Sequence, residues 1–311
     1  MKLIERDEVN AMLNFQVVVE ALERAHRRPP MEVSESFLGS PEALYFIRNA
    51  VDNGRYMASK LITSFPANPN KGSLPAVQAV VVLFDGKDGR PLELIDGTSI
   101  THWRTSCDSA LGAKILARPQ SEELLIVGAG EMSAWLAGAH ASVLPNLKRI
   151  HIWNRSVGRA EEVAERLHST GLPATAVTDL DAALTTADVI SACTRSSEPI
   201  IKGSLLKPGA HLDLVGSYSL STREADDETA RRSRIFVDLR RSAMHVGDIV
   251  GPLESGAIRE VDILGELSEL VTGSVKGRTS DAEVTLYKNA GGGHLDLMLA
   301  ELIHDLHRQR L

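Results

Sequence analysis

The spacing of apolar residues changes twice along this chain. From Glu8 to Arg27, the residues Val9, Met12, Leu13, Val17, Val19 and Leu22 fall mainly on one arc at about 100° per residue, which predicts a single amphipathic helix. Asp7 suits its N-cap, and Pro29-Pro30 ends it. Residues 31–100 lose the helical spacing and read as strands. Tyr56–Thr63 and Val77–Phe84 are β-rich, residues 85–90 (DGKDGR) are turn chemistry, and Leu92–Ile95 is the return strand. A helix from about Ser99 to Ala117 follows, with Thr98 or Ser99 as its cap and Pro119 beyond its end.

After Pro119 the pattern alternates. Glu123–Val127, Arg149–Trp153, Thr175–Val177, Val189–Cys193, His211–Val215 and Ile235–Asp238 read as strands. Glu131–Leu144, Val157–His168 and Leu180–Thr186 read as helices between them. Such alternation predicts βαβ units and a parallel sheet. Val284–Lys288 reads as a late strand and His294–His307 as a closing helix. The expected class is α/β: a Rossmann-type doubly wound domain beside an α+β block to which the C-terminal piece can return.

Composition narrows the function. The 311 residues suggest about two domains, and 43% hydrophobic with 24% charged residues is ordinary globular usage. With 34 Lys and Arg against 41 Asp and Glu, the net charge of −7 offers no attraction to a phosphate backbone, so no nucleic-acid partner is expected. Cys107 and Cys193 have no metal-ligand spacing, the histidines form no metal-binding pair, and two lone thiols fit a reducing compartment. The first residues are charged where a signal peptide is apolar, and the apolar run around Ala79–Phe84 is far short of a membrane span. A cytoplasmic protein with neither metal nor membrane partner is expected.

The most specific local signal is Leu124–Ser133, LLIVGAGEMS: a buried strand, a glycine turn, then a helix. Gly128 permits the tight turn, Gly130 lets a pyrophosphate approach the backbone, and Ser133 is small enough for close helix packing. Glu131 and Met132 open the helix whose positive end faces the phosphates. The bland alternative is a glycine-rich turn in a domain that binds no nucleotide. An NAD site usually carries an acid at the end of the second strand, to hold the ribose 2′-hydroxyl. Here that position reads Asn154-Arg155-Ser156. The Arg155 guanidinium can pair with a 2′-phosphate, which favours NADPH and leaves NADH possible. Thr194, Ser217 and Gly291 lie where loops at strand C-ends line such crevices.

Two cations sit in apolar settings. Arg104 shares the arc of Ile100, Cys107, Leu111 and Ile115. It either pairs with Asp108 four residues on or waits for the carboxylate of an anionic substrate. Lys60 lies in a strand apolar on both faces, where it either snorkels to solvent or titrates low enough for proton transfer.

Read together, the segments Lys60–Ile62, Asp96–Thr101, Arg104-Thr105, Val127–Gly130, Gly216-Ser217, Arg223-Glu224, Gly265–Leu267 and Thr285–Lys288, with Asp296 beyond, resemble the ornithine cyclodeaminase/mu-crystallin family over nearly the whole chain. The resemblance implies a homodimer whose substrate and dimerisation domain spans 1–117 and 289–311, around a dinucleotide domain at 118–288. It implies that Arg104 binds a substrate carboxylate, that Lys60 also lies at the substrate, and that an early-strand arginine joins them. Arg48 is the candidate, in a segment that departs from the family pattern. Cyclodeaminases carry a catalytic Asp where this chain has Tyr218. That departure points to the reductase branch, which reduces Δ1-pyrroline-2-carboxylate or Δ1-piperideine-2-carboxylate to L-proline or L-pipecolate. A cyclodeaminase, an alanine dehydrogenase-like enzyme and a non-catalytic NADPH-binding protein are the alternatives.

Overall fold

The computed structural model describes residues 3–310 apart from 41, 69–71 and 73. The chain divides into two compact units, Met1–Arg104 with Gly292–Leu311, and Thr105–Gly291.

The first unit opens with β1 (Leu3–Ile4), α1 (Arg6–Met12) and α2 (Phe15–His26). The single helix expected over Glu8–Arg27 is therefore two. The chain is extended at Leu13 and Asn14, and the Asn14 side chain accepts the amide of Val17, so an asparagine inside the apolar pattern acts as a start signal. Glu5, in a capping box with Glu8, takes the N-cap role expected of Asp7. Four antiparallel pairings then join β2 (Glu32–Ser40), β3 (Ala43–Asp52), β4 (Tyr56–Ser64), β5 (Val77–Asp85) and β6 (Pro91–Asp96), while β1 pairs parallel with β6. Next comes α3 (Gly97–Leu116), where Asp96, rather than Thr98 or Ser99, caps the start by accepting the Ser99 amide at 2.7 Å.

The boundary between the units falls within α3, ahead of the position expected after residue 117. The second half of α3 shares buried bonds with the second unit: Tyr287 donates to Asp108, and Ser109 donates to Asp213.

The second unit is an eight-stranded, wholly parallel sheet. Its elements are β7 (Glu123–Val127), α4 (Glu131–Val143), β8 (Arg149–Trp153), α5 (Val157–Ser169), β9 (Ala174–Val177), α6 (Leu180–Thr186), β10 (Val189–Ala192) and β11 (His211–Leu214). They continue through α7 (Asp227–Arg232), β12 (Ser233–Val237), α8 (Arg240–Ala243), α9 (Gly247–Glu254), β13 (Ile263–Glu266), α10 (Leu267–Thr272) and β14 (Val284–Lys288). The strand order is β13-β12-β14-β11-β10-β7-β8-β9, so the winding reverses between β7 and β10. Alternate residues of β7 enter two cores, Leu125 and Val127 on one side, Leu124 and Ile126 on the other. This is the doubly wound Rossmann-type arrangement, and its ligand crevice lies beyond the strand C-ends at the reversal.

The last helix, α11 (Gly293–Arg308), belongs to the first unit, where it packs on β3, β4 and α2. Its apolar face buries Leu295, Leu299 and Ile303. Each such side chain contributes about 1.5–3 kcal/mol by leaving water. A Cβ at Gly293 would stand 2.6 Å from the Asn49 carbonyl oxygen, so only glycine lets the helix start this close to β3.

Candidate active site

The close start of α11 places Asp296 in its first turn, directly over the middle of the first unit's sheet. Lys60, on β4, reaches Asp296 Oδ1 with its Nζ at 3.0 Å. Thr101, one turn into α3, accepts a second bond from the same ammonium and donates to the Gly97 carbonyl. Arg104, one turn further along α3, brings its Nε to 3.5 Å from Asp296 Oδ1. Both cations are buried, Lys60 at 2% and Arg104 at 6% exposure. Neither snorkels to solvent. The carboxylate they share comes from the far end of the chain. Asp108, the local partner considered for Arg104, accepts from the Tyr287 hydroxyl at 2.9 Å.

Electrostatics follow from that burial. Desolvation lowers the Lys60 pKa to about 8, with Arg104 and Arg48 adding to the shift and Asp296 opposing it. Burial works against the Asp296 charge, but Lys60, Arg104 and Arg48 outweigh it and hold the carboxyl below its ordinary range. Asp296 Oδ2 has no hydrogen-bond partner. Beside this cluster His294 and His26 meet edge to face, with centroids 5.9 Å apart. Both His294 ring nitrogens are buried without a hydrogen bond. Burial first, then His26 and Arg104, lower the His294 pKa to about 3, so the ring is neutral.

Arg48 is the direct cross-strand neighbour of Lys60, on β3. Its Nε pairs with Glu35 Oε1 at 2.9 Å, and its guanidinium carbon lies 5.9 Å from the centre of the Phe46 ring.

In the second unit the glycine turn has the geometry its spacing implies. Gly128 adopts φ +119°, a conformation that disfavours other residues, and a Cβ there would press on Cys193 at 3.1 Å. At Gly130, the N-cap of α4, a Cβ would meet nothing within 4 Å, which leaves an open cradle at the start of the helix that Glu131 and Met132 begin. Ser133 is wholly buried and donates to the Gly130 carbonyl at 2.6 Å. At the end of β8 the Asn154 amide closes onto the Ser156 carbonyl, and Arg155 is exposed. These residues fit a dinucleotide: open backbone that a pyrophosphate could approach, and an exposed cation at the end of β8.

Thr194 stands just past β10, where its amide and hydroxyl both donate to Glu224 Oε1, at 2.6 and 2.8 Å. Gly216, just past β11, donates to Glu224 Oε2 at 2.6 Å. Asp248 accepts the Glu224 amide at 2.7 Å and holds Lys288 Nζ at 3.2 Å. Ser217 is buried with its hydroxyl on the Thr222 carbonyl. The Gly291 amide donates to Asp238. Burial, then the Asp248 charge, raise the Glu224 pKa to about 7. Tyr218 is 66% exposed.

Sequence reasoning missed Asp296, Thr101 and His294 as site residues, and it missed the Glu224–Asp248–Lys288 network. Thr101, Glu224, Lys288 and Asp296 lie in the family-like segments, whereas His294 and Asp248 carried no signal in the sequence. Among the described residues, no helix is long and apolar enough to cross a membrane.

The reversed parallel winding and the glycine cradle place this chain in the class of dinucleotide-binding α/β proteins. Comparison with known proteins is narrower. The profile of the ornithine cyclodeaminase/mu-crystallin family matches residues 12–310. A Paracoccus denitrificans protein named Delta(1)-pyrroline-2-carboxylate reductase is 39% identical, over 95% of this chain and 94% of that one. The structure of Thermococcus litoralis Delta(1)-pyrroline-2-carboxylate reductase in complex with NADH and L-proline superposes with TM-score 0.94 at 29% identity, covering 100% of this chain and 98% of that one. The iminosuccinate reductase of Paracoccus denitrificans in complex with NAD+ superposes with TM-score 0.88 at 29% identity, covering 100% and 97%. The chain belongs to the ornithine cyclodeaminase/mu-crystallin family.

Proposed function

We propose that this protein is an NAD(P)H-dependent imine reductase that converts a cyclic imino acid, Δ1-pyrroline-2-carboxylate or Δ1-piperideine-2-carboxylate, to L-proline or L-pipecolate. The observation that carries the reading is the pair of buried cations, Lys60 and Arg104, on one carboxylate that keeps an unused oxygen. A reduced nicotinamide dinucleotide, when bound, supplies the hydride. Gly128, Gly130, Glu131 and Met132 would hold its pyrophosphate, with Asn154, Arg155 and Ser156 at the adenosine ribose and Thr194, Ser217 and Gly291 lining the crevice.

Each residue of the cluster then has a task. Arg104 takes the substrate carboxylate in a guanidinium fork, and this fixes the imine carbon in one orientation. Asp296 Oδ2 accepts the N–H of the protonated imine, the stronger electrophile, and its negative charge offsets the iminium. Lys60 keeps a proton on Nζ next to that nitrogen, with a pKa of about 8 suited to exchange near neutrality. Thr101 holds Nζ in place. The exposed Arg155, with no acid at the end of β8, supports NADPH over NADH. The exposed Phe37 and Leu38 on edge strand β2 support a homodimer that covers them.

The test is a steady-state assay with chemically prepared Δ1-pyrroline-2-carboxylate and each reduced cofactor. Oxidation of NAD(P)H with formation of L-proline is expected. Ammonia released from ornithine, with no imine-dependent oxidation, would overturn the reading in favour of a cyclodeaminase.

A further inference from the structure

Pairing register puts Glu35, Arg48 and Lys60 in one row across β2, β3 and β4, so all three side chains rise from the same face of the sheet. Their exposure is graded, with side chains 29%, 17% and 2% accessible from the edge strand inward. Directly paired Cβ atoms on neighbouring strands lie about 5 Å apart. A ligand held at Lys60 and Arg104 therefore has Arg48 within reach of its next polar group. Arg48 acts on the cluster even at rest, since its charge is felt at Lys60, Asp296 and His294. An anion already stands at its Nε, where Glu35 Oε1 lies 2.9 Å away as an ion pair without hydrogen-bond geometry.

We propose that Glu35 sets the substrate class of this site by occupying Arg48, which restricts the enzyme to imines that carry one carboxylate. A second carboxylate would have to displace Glu35 or lie beside it, and two like charges this close repel. With Glu35 neutralised, Arg48 becomes a second anion fork one strand away from Lys60, and dicarboxylate imines gain a place. Glu35 is a specificity determinant acting through Arg48; it has no part in the reduction. The inference rests on the imine-reductase reading given above.

The experiment compares the protein with Glu35→Gln and with Glu35→Gln/Arg48→Met. Two substrates are used, Δ1-pyrroline-2-carboxylate and the imine formed from oxaloacetate and ammonia. Succinate protection against thermal unfolding supplies a binding readout independent of turnover. Glu35→Gln is expected to keep mono-acid reduction within about threefold and to shift the diacid-to-mono-acid ratio of kcat/KM at least tenfold toward the diacid. It should also gain a succinate-dependent rise in Tm. Arg48→Met in that background should abolish both gains. An unchanged ratio together with no gain in succinate protection, in a variant that still reduces the mono-acid, would overturn the role of Glu35. Failure of the unaltered protein to reduce either imine counts against the imine-reductase reading. The succinate measurement still decides whether Glu35 closes Arg48 to a second carboxylate.

Discussion

Both units bury a charged cluster, and the two clusters are finished differently. In the second unit each Glu224 oxygen accepts a backbone amide, and Asp248 uses both of its oxygens. That network is closed: it ties the loop after β10 to the loop after β11 and leaves no acceptor over. In the first unit Lys60 and Arg104 share one oxygen of Asp296, the other oxygen bonds to nothing, and two buried imidazole nitrogens beside it are equally unused. Buried polar atoms almost always find partners within the protein or in ordered water. An open valence in a buried network is filled by ordered water or by a ligand, and in the first unit it lies on the carboxylate that Lys60 and Arg104 share.

Substitutions can break or sharpen that distinction. The largest effect is expected at Arg104. Arg104→Ala should lower kcat/KM for the imine at least about a hundredfold, matching the roughly 3 kcal/mol lost when one side of a buried charge pair is removed. The circular dichroism spectrum should stay native. A folded variant with unchanged kcat/KM would refute the carboxylate role. Next is Arg155, an exposed residue of the second unit that lies outside its closed network. Arg155→Ala should cut the NADPH-to-NADH ratio of kcat/KM by about tenfold, the scale of one charge-assisted contact. A clear NADH preference in the unaltered protein would sink the argument.

The pH profile of kcat/KM tests Lys60. Its pKa of about 8 lies below the ordinary 10.5, so the ammonium form is lost as pH rises through 8, and kcat/KM should fall there. Lys60→Arg, which stays protonated, should move that limb upward even at lower overall activity. In stability the same shift has the opposite sign. Between about 8 and 10.5 the unfolded chain holds the extra proton, so this group's contribution to stability grows with pH across that window.

The smallest effect belongs to the closed network. Glu224→Gln turns one acceptor into a donor facing an amide donor, and Tm should fall by about 3–8 °C for a loss of about 1–3 kcal/mol. Glu224 is raised from 4.5 to about 7, so its contribution to stability is complete below 4.5 and is lost as pH rises toward 7. The variant should flatten the Tm-versus-pH curve in that interval. A curve of unchanged slope would argue that the network does not titrate.

Legibility in the sequence followed the range of the interactions. The βαβ alternation and the glycine turn are local patterns, and the strands Glu123–Val127, Arg149–Trp153 and Val284–Lys288 lie where those patterns put them. The cost of burying Arg104 was also visible, because helix periodicity alone places it on an apolar arc. Its counter-charge was not visible. Asp296 stands 236 positions from Lys60, and its location depends on how closely Gly293 lets α11 approach β3. Glu35 and Arg48 could be matched only once the β2–β3 register was known, since a slip of one residue turns the side chain to the other face. The break at Leu13-Asn14 was hidden for a different reason: apolar spacing continues across it, and one asparagine oxygen decides the matter.

The first unit takes its last helix from the end of the chain, and this fixes an order of events during synthesis. A ribosome lays down Lys60 and Arg104 early and translates the whole parallel sheet before it reaches Asp296. Until α11 emerges, the two cations have no shared anion and the antiparallel sheet lacks its α11 cover. A chain stopped before Gly293 would retain the sequence of the entire dinucleotide-binding unit, yet it would lack the carboxylate that Lys60 and Arg104 share.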